Sequence, residues 1–235
     1  MRVKITAPLV AVGAAVTAAA LLARRDYDAW VGLGPGGLPH TFRGWLTMTR
    51  HRLDIVRRGY PPRDAAALEE RAAPTAGGPF LAGLPARRGD RPRVEPFPIP
   101  HRLASCAAEA GLIAALQDAF TERAGRDRER IVLAKSHFEM HNVAVTARLI
   151  RYDHVDALMA HGEVGHVHPS DGSMHMVLHP LDAAAAIRAG WGELHPLSGM
   201  GWLPGAYLMV YPPTSEEELS VVLQLLDAAI EYVLG

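Results

Sequence analysis

A chain of 235 residues, 49% of them hydrophobic, holds one substantial domain, or one domain with an appendage. Its formal charge of −1 with neutral His excludes a nucleic-acid binder that relies on net positive charge. The single cysteine, Cys106, excludes an intrachain disulfide and a multi-cysteine zinc site.

The N-terminus carries the clearest local signal. From Ile5 to Ala23, "ITAPLVAVGAAVTAAALLA" is uncharged and is bracketed by Arg2, Lys4, Arg24 and Arg25. A helix of that length reaches roughly 28 Å, close to the thickness of a bilayer's hydrocarbon. A cleaved signal peptide is the rival, given the small residues around Ala18 to Ala20. The length, and the basic residues directly after the stretch, favour a retained single-pass membrane anchor. Gly32 to Pro39, "GLGPGGLP", is a turn-rich connector, without the strand and helix that a phosphate loop needs. Thr41 to Arg58 follows, with Phe42, Leu46, Thr49, Leu53 and Val56 on one helical stripe and Arg43, Arg50 and Arg57 beside it. That pattern suits a basic amphipathic helix on lipid headgroups, or a surface helix packed on the domain. "RDAAALEERAA" reads as a short helix, and Pro74 to Pro100 as a Pro/Gly/Arg-rich surface wrap in which "VEPFPIP" can make an edge strand. Ser105 to Arg123 has helical period, with Ser105 placed to cap it. Cys106, at the start of that helix, reads as structural.

Beyond Arg123 the signals alternate. Ile131 to Thr146, Glu163 to His168 and Ser173 to His179 have strand-like spacing. "LDAAAAIRAG" is a helix that Gly190 ends, and "AYLMVY" is a buried strand stopped by Pro212 and Pro213. "TSEEELSVVLQLLDAAIEYVL" is a helix capped by Thr214 or Ser215, with Glu216 to Glu218 at its positive end. Strands and helices without a regular βαβ cadence predict an α+β fold. This is an antiparallel sheet with helices packed mainly on one face, preceded by an N-terminal transmembrane helix. The expected division is an anchor over 1–25, a linker, amphipathic helix and surface wrap over 26–100, and the catalytic α+β domain over 101–235.

Strand parity then sorts the histidines. In "SHFEMH", His137, Glu139 and His141 share a face; in "SMHMVLH", Ser173, His175 and His179 do; His166 and His168 do likewise. If these segments are neighbours in one sheet, imidazoles and carboxylates converge on one floor. Such a floor suits general-base chemistry near neutral pH, or a divalent metal bound by neutral imidazole and carboxylate. The bland alternative is a polar face simply wetted by solvent. His195 lies in an expected loop after Trp191, which alone reads as a core anchor.

Taken in order, these stretches resemble the fungal luciferase family, the enzymes that oxidise 3-hydroxyhispidin with light emission. The resemblance runs from "RRDY" (Arg24 to Tyr27), through "GP" at Gly34 and Pro35, "FRG" at Phe42 to Gly44 and "LAGLPARRGDRP" (Leu81 to Pro92). It continues with Phe138, Glu139 and His141, then Glu163, His166 and His168, then Met174 and His175. Gly190, Trp191, Gly192, His195, Pro196, Leu197 and Gly199, and then Glu216 to Glu218, complete it. Thr214 stands where the family has an arginine.

The resemblance implies a luciferase-like oxygenase that adds O2 to an α-pyrone of the 3-hydroxyhispidin type. The route is base-assisted enolate oxidation, a cyclic peroxide and CO2 loss. The implied catalytic residues are Glu139, His141, Glu163, His166, His168, His175 and His195. His166 or His168 would be the base, oriented by Glu139 or Glu163. Trp191, Ser173 and Phe138 are the implied substrate contacts. No organic cofactor is expected, and O2 is the co-substrate. A divalent metal is not favoured; if present, its ligands would be His166, His168, His175 and Glu139. The expected partners are a small phenolic or pyrone substrate and, through the N-terminal helix, a membrane, but no nucleic acid. Two rival readings are a metal-dependent oxygenase of another substrate and a non-catalytic, membrane-anchored small-molecule-binding protein.

Overall fold

The computed structural model describes residues 7–59, 62–72, 77–104 and 108–235. At its centre is one sheet of six strands in the order β1-β2-β3-β4-β6-β5, every neighbouring pair antiparallel. The strands are β1 (Ile131–Lys135), β2 (Val143–Ala147), β3 (Glu163–Val167), β4 (Met174–Val177), β5 (Gly192–Leu194) and β6 (Tyr207–Val210). The predicted α+β class with an antiparallel sheet therefore fits.

Two rows of paired residues explain how this sheet divides the molecule. Val145, Gly165, Met176, Leu208 and Leu194 are register partners across five strands, and the side chains of Val145, Met176, Leu208 and Leu194 belong to the main core. One residue along, Ala144, His166, His175, Met209 and Glu193 form the neighbouring row, which points the opposite way because side chains alternate along a strand. Helix α7 (Glu216–Leu234) lies on β2, β3 and β4, and α4 (Ala110–Arg126) on β1 and β2. Val222, Leu225, Leu226 and Ile230 of α7 are fully buried, each worth roughly 1.5–3 kcal/mol of apolar burial. Ser215 caps α7, its side chain accepting from the Glu218 N–H, and three glutamates fill the first turn. Helices α3 (Ala65–Ala72) and α6 (Pro180–Arg188) pair with each other, and α6 packs beside β5.

Gly165 is required by this geometry. A Cβ there would lie 2.6 Å from the His175 carbonyl oxygen, on the strand paired with it. Without a side chain, β3 can hold His166 directly opposite His175.

The N-terminal expectation is overturned. Helix α1 runs from Ala7 to Gly32, but among the described residues no helix is long and apolar enough to cross a membrane. The apolar run does not end the helix, which continues through Arg24, Arg25, Asp26 and Asp28. Its last turns are docked: Trp30 is fully buried and donates from Nε1 to the Ile99 carbonyl at 2.7 Å. The start of the expected span, Ile5 and Thr6, lies outside the described residues. The single-pass membrane location inferred from that span is overturned by the same finding.

Other differences are local. Helix α2 (Phe42–Arg58) forms as expected, capped by Thr41, but it buries Gly44 and Met48 while Phe42, Leu46, Leu53 and Val56 face outward. At Gly44 a Cβ would sit 2.1 Å from the Pro39 carbonyl oxygen and 3.1 Å from the Trp30 ring, so glycine lets this face of α2 meet the preceding turn and the end of α1. The proline-rich passage contributes an isolated bridge between Val94 and Leu103, not an edge strand. Ile131 to Thr146 is two strands joined by a turn over 136–142, and α4 begins at Ala110. The expected cap Ser105, and Cys106, lie outside the described residues.

The β5 edge is tied to the N-terminal half by a three-way contact. Tyr211 donates from its hydroxyl to Glu193 Oε2 at 2.7 Å, and Arg63 approaches the same oxygen at 2.8 Å. Burial and the adjoining Glu193 carboxylate push the Tyr211 phenol up to about 12. A folded value above the unfolded one, about 10, stabilises the fold fully below pH 10, and the contribution is lost as pH rises through 12. Urea unfolding midpoints measured over that alkaline range should fall for the wild type and stay flatter for Tyr211→Phe. In a second measurement, Gly165→Ala should lower the urea midpoint at neutral pH by the equivalent of about 1–3 kcal/mol.

Candidate active site

The face opposite α7 is covered by residues 36–37 and 97–103, and between these covers and the sheet lies a chain of buried imidazoles. His166 and His168 approach Nε2 to Nε2 at 3.1 Å, and His175 Nδ1 lies 3.2 Å from His168 Nε2. His101 Nδ1 lies 3.1 Å from His175 Nε2, with the two rings stacked at 5.3 Å. His195 completes the group, 4.7 Å from the His101 ring. All five are at most 5% exposed, so the wetted-face alternative fails.

Buried carboxylates hold these rings. The Glu163 carboxylate accepts from Ser136 Oγ (3.0 Å) and from the His137 N–H (2.7 Å), and its other oxygen lies 2.6 Å from His166 Nδ1. His168 Nδ1 lies 2.8 Å from Ser173 Oγ, which donates to Asp171 Oδ1 at 2.7 Å. Asp171 also accepts from the Leu103 N–H, which pins the covering segment to the turn after β3. Beside the cluster, Arg102 donates to both oxygens of Glu139, at 3.0 and 2.6 Å, with both side chains under 10% exposed.

Titration follows from this packing. Burial pushes His101 and His175 well below the ordinary imidazole value, and the neighbouring imidazoles push the same way. His168 is lowered to about 4 and His195 to about 3, burial again leading. Burial would raise the Glu139 carboxyl, but His168 and Arg102 beside it hold it well below the usual carboxylate range. Burial, then the Glu163 and Glu139 charges, raise Tyr207 well above 10, so its phenol stays protonated.

A cavity of about 200 Å³ opens onto one end of the cluster. Gly36, Gly37, Ile99, Pro100, Phe138 and Leu203 give it apolar walls, His101, His175, His195, Glu139 and Tyr207 line its polar part, and half-buried His51 and exposed Trp202 also line it. His101 Nε2 and the Tyr207 hydroxyl are buried without a hydrogen-bond partner. Each such atom costs about 1–3 kcal/mol unless something binds it. Both belong to residues lining this one cavity.

The residues expected at the site divide accordingly. Glu139, His175, His195 and Phe138 line the cavity. His166, His168, Glu163 and Ser173 are brought into the cluster but sit behind His175, so neither His166 nor His168 reaches the cavity as a direct base. His195 is occupied: its Nδ1 accepts from the Leu197 N–H at 3.1 Å, and its ring also bonds the Pro98 backbone. His141 stays outside the imidazole chain: its Nδ1 lies 2.5 Å from the Glu139 carbonyl oxygen and its Nε2 3.8 Å from Glu139 Oε2, and it lines a separate groove with Phe120 and Val143. Trp191 is a core residue, donating from Nε1 to the Pro85 carbonyl at 2.7 Å, and does not line the cavity.

Parity failed in "SHFEMH" because that stretch is a turn. His137 stacks on His161 at 3.7 Å while Glu139 folds inward. It failed at His179 because β4 ends at Val177, leaving His179 to cap α6. Thr214 is engaged at the start of α7, donating from N–H and hydroxyl to Glu218 Oε2, both at 2.8 Å. Sequence reasoning missed His101, Arg102, Ser136 and Tyr207. The "HR" pair at 101–102, next to a proline-rich cover, was their one visible signal.

Comparison with known proteins bears on the same residues. A family model described as a luciferase domain matches residues 161–229, a range that includes His166, His168, His175, His195 and Tyr207. The luciferase of Neonothopanus nambi is 27% identical over 223 residues, covering 89% of this chain and 80% of that protein. The luciferase of Armillaria ostoyae is 27% identical over 224 residues, covering 89% and 81%. The luciferase of Armillaria mellea is 27% identical over 237 residues, covering 93% and 86%. This chain is a distant homologue of the fungal luciferases. No solved structure matches it.

In this luciferase homologue the Arg102–Glu139 pair should be energetically exposed to mutation. Arg102→Leu leaves a carboxylate buried and unpaired and should cost about 3–5 kcal/mol in urea unfolding. The double substitution with Glu139→Leu should recover most of that loss.

Proposed function

We propose that this chain is a luciferase-like, oxygen-using oxidoreductase acting on a flat, enolisable small molecule of the 3-hydroxyhispidin type. The homology supports the oxygen-using class and a small-molecule substrate. The observation that carries the finer reading is the pair of unpartnered polar atoms, His101 Nε2 and the Tyr207 hydroxyl, on one cavity with apolar walls. A planar pyrone offers what that cavity lacks: an enol oxygen for His101 and a lactone carbonyl to accept from the protonated Tyr207. Phe138, Ile99 and Leu203 supply apolar contact for its ring.

The reaction needs the enolate, because that form is rich enough in electrons to reduce O2. The enol proton is lost toward solvent past His51 and Trp202, and His101 in its Nε2–H form donates to the oxygen left behind. His101 then stabilises the oxyanion in a water-poor setting, where such a contact is strongest. The ring carbon next to the lactone carbonyl bonds to O2, and the terminal peroxide oxygen closes on the lactone carbonyl carbon, expelling the ring oxygen as an enolate; the bond between those two carbons is the one that breaks in the next step. The O–O bond breaks as CO2 leaves, so one oxygen atom from O2 remains in the new carbonyl and the other departs in CO2. All the electrons come from the substrate, and no organic cofactor is required. Glu139 borders the cavity and is clamped by Arg102; its role is to fix the covering segment and the local charge.

Oxygen uptake and photon emission recorded together, with 3-hydroxyhispidin supplied to purified protein, test this reading. Wild-type protein should consume O2 with release of CO2. His101→Ala should lower kcat by about 10²–10³-fold with a much smaller change in KM, and His101→Gln, which keeps an N–H donor, should retain more activity. Absence of O2 uptake with any 3-hydroxypyrone would overturn it.

A further inference from the structure

We propose that His166 Nε2, His168 Nε2 and His175 Nδ1 together bind one divalent transition-metal ion. The argument starts from where the ring protons must be. The Glu163 carboxylate acts as an acceptor toward Ser136 and the His137 N–H, so the hydrogen bond to His166 Nδ1 is made by a proton on that nitrogen. The one proton of Ser173 Oγ goes to Asp171 Oδ1, so Ser173 Oγ accepts from His168 Nδ1–H. With both rings uncharged, His166 and His168 turn bare Nε2 lone pairs on each other at 3.1 Å, and the Glu139 Oε1 oxygen stands a further 3.6 Å from His168 Nε2. Both residues are fully buried. Two lone pairs at that separation repel unless a cation stands between them.

A third nitrogen is placed to join them. His175 Nδ1 lies 3.2 Å from His168 Nε2, and the three ligand atoms fall within 4.8 Å of one another. Tetrahedral ligands at a metal–nitrogen distance of roughly 2.0–2.1 Å stand about 3.3 Å apart, close to the two measured separations. The outer partners also match a metal site: Glu163 and the Ser173–Asp171 pair hold Nδ1–H of the two β3-side rings and fix the tautomer that frees Nε2. Three imidazoles suit zinc, iron, cobalt or copper better than magnesium or calcium.

The site lies directly behind the cavity. Ligation through Nδ1 puts the His175 proton on Nε2, from which it donates to His101 Nδ1 at 3.1 Å. His101 then shows an N–H to the cavity, the form that holds an enolate. The metal thus deepens the oxygenase reading, but its binding can be measured without any substrate, so the two stand or fall separately.

The test uses full-length protein made without a histidine tag. Metal content is measured as purified, then the metal-free form is titrated with Co(II) and followed by its visible d–d absorption. About one equivalent per chain with a tetrahedral-type spectrum is expected. Ser173→Ala should weaken Co(II) binding about 10–100-fold while leaving the far-UV circular dichroism unchanged, and His168→Asn should abolish the band. His141→Ala, outside the cluster, should bind as wild type. The alternative is a proton in place of the metal, with His166 as an imidazolium between Glu163 and His168. Absence of stoichiometric metal and of a Co(II) band, in folded wild-type protein, would overturn the proposal. A band unaffected by both Ser173→Ala and His168→Asn would overturn it too.

Discussion

The buried carboxylate of Glu163 is the contact on which the site's geometry depends. It sits at the start of β3, 1% exposed, and gathers a hydroxyl, a backbone N–H and an imidazole from two separate segments. A carboxylate taken out of water is tolerated only when its acceptor positions are filled, so the turn over 136–142 and the His166 ring are fixed together. Ser136 transmits this further, because its Oγ also accepts from the Glu139 N–H at 3.0 Å and so aims Glu139 at Arg102. One anion thereby sets the position of a second anion and of the first imidazole in the chain.

The second constraint is the cover. Residues 97–103 bring His101 and Arg102 over the sheet, and three contacts hold them there: Arg102 on Glu139, Leu103 N–H on Asp171, and Trp30 on the Ile99 carbonyl. The third of these makes the end of α1 part of the site's architecture. The helix that sequence alone assigns to a bilayer contributes instead to the support beneath the cavity wall. The imidazoles are cut off from solvent as a result, and the same desolvation holds His101, His168, His175 and His195 below the ordinary imidazole value.

Much of the frame was legible beforehand because it rests on local rules. The parity of "EVGHVH" and of "SMHM" puts the imidazoles of each segment on the face opposite its large apolar residues; the pairing of β3 with β4, seen only in the fold, then sets His166 opposite His175. The helix α7 with its Ser215 cap, and the stop at Gly190, follow from capping and backbone preference. Where local pattern misled, a non-local term had won. The turn at 136–142 broke the expected strand because Glu139 and Ser136 had buried partners far away in sequence. Of the two readings open for α2, packing of its apolar stripe on the domain is the one that fails: Phe42, Leu46, Leu53 and Val56 face outward, and Gly44 and Met48 make the docked face.

By itself, then, the amino-acid order determined an α+β chain with an antiparallel sheet, a histidine-bearing sheet face and a kinship visible along most of its length. These depend on period, capping and turn chemistry, which act over a few residues. Tertiary structure alone decided which imidazole meets the cavity, that His141 stays outside the imidazole chain, and that Arg102 neutralises Glu139. Those outcomes depend on which surfaces are excluded from water together, and burial is a property of the assembled molecule that no short window of sequence contains.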